Sequence, residues 1–136
     1  VGDHIKYYDG YKYVLAEDYS ILTPIVGYHA LTSSVSLAPD GNLTIRKGFP
    51  WDGASGPALD TKSSMRGSLV HDALYQLERD ELISMKERPA IDRLLRDICI
   101  EDGMWKWRAN LWLWIVRRFG VFSAIPEFLH PPQVAP

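Results

Sequence analysis

The chain has 136 residues, the length of one ordinary domain, and 46% hydrophobic content, enough to bury about two thirds of the surface it exposes when unfolded. Its single cysteine, Cys99, excludes an internal disulfide framework, so the fold must rest on its core, as suits a reducing compartment. A formal net charge of -2 supplies no general attraction to nucleic acid or anionic lipid, and no nucleic-acid partner is expected.

The opening "VGDHIKYYDG" has no basic segment followed by an apolar stretch, so no signal peptide is expected. Residues 1–50 have mainly strand character. "YKYVLAEDYSILTPI" and "YHALTSSVSLA" are rich in β-branched and aromatic residues, and Pro39 to Asn42, "PDGN", suits a hairpin turn. Around that turn Val35, Leu37, Leu43 and Ile45 alternate with polar or small residues, which predicts one inward face.

Residues 51–63 read as a loop, after which the period becomes helical over 64–120. Ser63 or Ser64 can cap a first helix in which Met65, Leu69, Ala73, Leu74 and Leu77 repeat at three and four. Pro89 fits the first turn of a second helix, which Gly103 ends. A third helix runs from about Met104 to Phe119 and stops at Gly120, leaving 121–136 as an extended tail rich in proline. Its most apolar run, Ala109 to Val116, is far short of the ~20 residues that a spanning helix needs. The expected architecture is a single α+β domain over 1–136: antiparallel strands and hairpins, then three helices packed together.

The chemistry concentrates in "LVHDALYQ", Leu69 to Gln76. On a helix, His71 and Tyr75 share a face, and Asp72 looks along a neighbouring direction. A neutral imidazole can take a proton from water, and the adjacent carboxylate is a hard oxygen ligand suited to Ca²⁺ or Mg²⁺. A histidine in that role needs a partner on its other nitrogen, and Asp92 is the candidate; Tyr75 can hydrogen-bond Asp92 and fix it. Upstream, "WDGASGP" offers backbone carbonyls around Gly53 and Gly56, to which Asp52 adds charge, a set suited to Ca²⁺ together with Asp72. The alternative is purely structural: Asp72 pairs with Arg66, Arg79 or Arg93, His71 satisfies a carbonyl, and the glycines only turn the chain.

The succession "GFPWDGASGP", "SLVHDALY", "AIDRLLRDI" and "MWKWRANLWLWIVRRFG" resembles a family of small phage and prophage proteins of uncharacterised function over nearly the whole chain. The matching positions are Gly48, Phe49, Asp52, Ala54, Ser55, Pro57, His71, Asp72, Leu74, Tyr75, Asp92, Arg93, Phe119 and Gly120, with Trp51 where a polar residue is usual. The resemblance implies a virion part, such as a tail or baseplate component, or an accessory factor in the infected bacterium's cytoplasm. Other phage structural proteins would then be its partners. Locally, the loop, the His-Asp pair and the later Asp are similar to phospholipase A2. This implies His71 as general base, Asp72 and the Gly53 to Gly56 backbone as Ca²⁺ ligands, Asp92 orienting His71, Tyr75 in support, and a lipid or envelope ester as substrate. The strand-rich half lies outside that resemblance. Metal phosphohydrolases with His and His-Asp ligands are a further alternative, with His4 and His29 as the only upstream histidines.

The third helix sets Trp105, Trp107, Trp112 and Trp114 beside Lys106, Arg108, Arg117 and Arg118. Two apolar sides exceed one core contact, and the pattern favours core packing plus a protein partner over lipid.

Overall fold

A computed structural model describes residues 5–8, 13–51 and 62–124. Its strands, in chain order, are β1 (Tyr7–Tyr8), β2 (Tyr13–Leu15), β3 (Tyr19–Leu22), β4 (Ala30–Leu31), β5 (Val35–Leu37), β6 (Asn42–Ile45) and β7 (Pro50–Trp51). The helices are α1 (Lys62–Arg79), α2 (Arg88–Glu101) and α3 (Lys106–Ala124), with one 3₁₀ turn at Met85–Glu87. The arrangement is α+β, as the change of period predicts.

The strands form two antiparallel sheets, ordered β1-β2-β7 and β3-β6-β5-β4. The predicted hairpin is β5–β6, with Val35 opposite Ile45 and Leu37 opposite Leu43. All four of those side chains are fully buried, so the alternation selects the register. Gly41 makes the turn at φ +96°, and a Cβ there would run into the Thr23 carbonyl, so only glycine fits.

Three boundaries differ from the sequence reading. Trp51 belongs to β7 and not to the following loop, because its ring is buried and its indole N–H donates to Ser68 Oγ at 3.1 Å. α1 begins at Lys62, so Ser63 and Ser64 lie inside its first turn, and Ser64 is buried there. α3 runs through Gly120 to Ala124, so residues 121–124 are helical and not part of an extended tail. A glycine inside a helix costs only about 1 kcal/mol and ends it only when its backbone turns left-handed. Gly103 does so, at φ +102°, and the bonds Met104 N–H to Cys99 O and Gly103 N–H to Ile100 O close α2 as expected. α1 ends with the same bond pattern, but Glu81 takes the left-handed position at φ +62°.

α1 and α2 pack antiparallel, with Arg66 meeting Asp102, Gly67 meeting Leu95 and Cys99, His71 and Tyr75 meeting Asp92, and Glu78 meeting Arg88. One core joins Leu15, Leu37, Leu43 and Ile45 from the sheets to Leu69, Leu74, Leu77 and Ile91 from the helices. A smaller cluster of Leu95, Cys99, Met104 and Ala109 seats α3. Among the described residues no helix is long and apolar enough to cross a membrane.

Candidate active site

The helix pair builds the site. His71 lies midway along α1 and Tyr75 one turn further on, their rings in contact with centroids 4.1 Å apart and planes tilted by 36°. Asp92 lies on α2, just past its first turn, on the side that faces α1. Its Oδ1 takes both donors: His71 Nε2 at 2.9 Å and the Tyr75 hydroxyl at 2.7 Å. Asp92 is fully buried, and its Oδ2 has no hydrogen-bond partner among the described residues.

Where Nε2 donates its hydrogen to Asp92, the lone pair of the neutral imidazole falls on Nδ1. Nδ1 faces Asp72 Oδ1 at 3.9 Å, a charge contact too long for a hydrogen bond. The Asp72 side chain is 39% exposed, whereas that of His71 is 9% exposed. The sequence reading of His71 as a base toward water implies a solvent-facing imidazole, but packing of the helix pair seals most of the ring, and the Nδ1 edge adjoins the more open carboxylate. Burial by itself lowers the pKa of His71, but the Asp72 and Asp92 carboxylates outweigh it and raise the value above the ordinary range. Burial, and then the bond to Asp92, push the Tyr75 hydroxyl up strongly, so it stays a neutral donor.

The arginine alternative for Asp72 fails for Arg66. That guanidinium is buried and bonds Asp102 through Nε and Nη2, Tyr19 through Nη1, and Glu101 at 3.3 Å. Cys99 is no rival nucleophile, because burial pushes its thiol up to about 12.

Of the metal set expected from the sequence, Asp72 is the one member within the described residues; Asp52, Gly53 and Gly56 lie outside them, as does His4. Among the described residues no group of three or more His, Cys, Asp or Glu side chains is placed to hold a metal, so His29 joins no such group. On that ground the phosphohydrolase ligand pattern gains no support.

Two contributors escaped the sequence reading. Gly67 lets the helices approach: a Cβ there would lie 2.9 Å from Cys99 Sγ and 3.1 Å from Leu95 Cδ1. A glycine inside an apolar helical run was the available signal. Glu78, buried at the end of α1, binds Arg88 at 2.9 Å and clamps the end of the helix pair beyond Tyr75.

No family model matches the chain, and no curated protein or solved structure matches it. What the site can do is therefore read from its own geometry.

Proposed function

We propose that this chain is a phage-associated hydrolase of carboxylic esters in lipid or cell envelope, with His71 as general base and water as nucleophile. The observation that carries the reading is the convergence of His71 Nε2 and the Tyr75 hydroxyl on one buried oxygen of Asp92. That arrangement fixes tautomer and ring orientation and leaves Nδ1 as the basic edge. The phage setting, as a virion or accessory component, is supported by the succession of motifs from Gly48 to Gly120.

In the proposed step, Nδ1 takes a proton from water as its oxygen bonds the carbonyl carbon. The tetrahedral adduct then expels the alkoxide, which recovers the proton from Nδ1, giving acid and alcohol. Asp92 stabilises the imidazolium throughout. Asp72, a hard oxygen donor at the open edge of the site, fits a divalent cation, and Asp52 with the Gly53 and Gly56 backbone would complete the set. Held by these residues, Ca²⁺ would supply Lewis-acid chemistry.

The test is hydrolysis of phospholipid and simple ester substrates, with added Ca²⁺ or with chelator, by the wild-type chain and His71→Ala. Activity present in the first and absent in the second, with unchanged circular dichroism, is the expected result. No wild-type turnover under any metal condition, or full activity in His71→Ala, overturns it. The polar network then serves only to lock α1 to α2, and the chain acts as an interaction component of the particle. Mass spectrometry of purified particles separates a virion part from a cytoplasmic factor.

A further inference from the structure

Among the described residues, α3 buries side chains on one side and exposes a row of them on the opposite side. Ala109 and Leu113 turn into the protein and are buried. Trp107, Leu111, Trp114 and Arg118 recur at four, three and four on the far side. Trp107 is 62% exposed, Leu111 47% and Trp114 58%, and Trp105 adjoins them at 71%. Large aromatic rings left this open in a row mark a contact surface.

The charges around the row identify what covers it. Exposed Lys106 and Arg117 flank it on one side and half-buried Arg108 on the other, while the Arg118 guanidinium lies 5.6 Å over the Trp114 ring. Between Lys106 and Ala124 there is no acidic residue, although the whole chain is net negative. With four cations and no acid, this helix is locally positive within a net negative chain. Indole rings, with an apolar body and one N–H donor, suit the boundary between headgroups and acyl chains, and flanking cations suit anionic headgroups. A lysine beside the rings is less typical of a protein-protein contact.

We propose that the Trp107, Leu111, Trp114 and Arg118 face of α3 docks on the surface of an anionic phospholipid bilayer. The helix lies in the interface without crossing it. This docking does not rest on the hydrolase reading.

The test is co-sedimentation of the full chain with vesicles of phosphatidylcholine alone and of phosphatidylcholine mixed with phosphatidylglycerol. The chain is expected to bind the mixed vesicles preferentially, and less so as salt is raised. Trp107→Ala with Trp114→Ala, and separately Arg117→Glu with Arg118→Glu, should each weaken binding by roughly tenfold or more. Leu31→Ser, an exposed apolar position on the sheet, should leave it unchanged. Should the tryptophan variant not fold, the arginine variant and quenching of wild-type tryptophan fluorescence by acyl-brominated lipid decide. Absence of wild-type binding to the mixed vesicles overturns the proposal, as does binding that neither variant changes. A dimer seen by ultracentrifugation, dissolved by the same substitutions and without vesicle binding, also overturns it and makes this face a contact between copies.

Discussion

Arg66 and His71 stand little more than one turn apart on α1, both buried and both paired with an acid from the α2 segment, yet they differ chemically. Arg66 spends its donors on Asp102, Glu101 and Tyr19, and a guanidinium has no lone pair to offer. His71 gives one nitrogen to Asp92 and keeps the other, basic, beside a carboxylate that reaches solvent. Burial and pairing are common to both. What separates a lock from a candidate base is a second ring nitrogen that can take up or release a proton, beside a carboxylate that reaches solvent.

The contrast can be broken by mutation. Arg66→Met should have the largest effect, roughly 3–5 kcal/mol by chemical denaturation, because Asp102 and Tyr19 lose their shared donor. Asp92→Ala should follow at about 3 kcal/mol, since two buried donors lose their acceptor. Any hydrolysis should fall far more in Asp92→Ala than its folded fraction explains, whereas Arg66→Met should lose activity only in proportion to unfolding. Equal specific losses in the two variants would erase the distinction.

Gly67→Ala tests the spacing both clusters share, with about 1–2 kcal/mol expected from forcing Cys99 and Leu95 aside, partly offset by alanine's better helix propensity. Unchanged stability would show that the helices can part without cost.

The smallest effect is also the most selective. The folded pKa of His71 is raised, so the fold favours its protonated form. That stabilisation is fully present below the ordinary histidine value of about 6.5 and is lost as pH rises through the higher folded value. Denaturation across this window should show the decline in the wild type and not in His71→Gln. Asp72→Asn should lower the pKa of His71 measured by NMR while changing stability by less than about 1 kcal/mol, as suits a partly exposed carboxylate. The Arg66 cluster supplies no histidine to titrate there.

The pattern of side chains was enough to read the strands before the helices, the β5–β6 hairpin, Pro89 at the start of α2 and Gly103 at its end. These features follow from local sterics and the alternation of apolar residues, which one short segment carries within itself. Helix periodicity placed His71 and Tyr75 on one face, and Asp92 could be named because the connection was long enough to fold back. Trp51, Glu81 and Gly120 were misread or missed, since burial, a left-handed turn without glycine and a helix passing through glycine all depend on surroundings that local propensity does not contain. Only the tertiary structure set the 2.9 Å contact of His71 with Asp92 and the burial of the ring, because both arise where Gly67 allows two helices distant in sequence to close together.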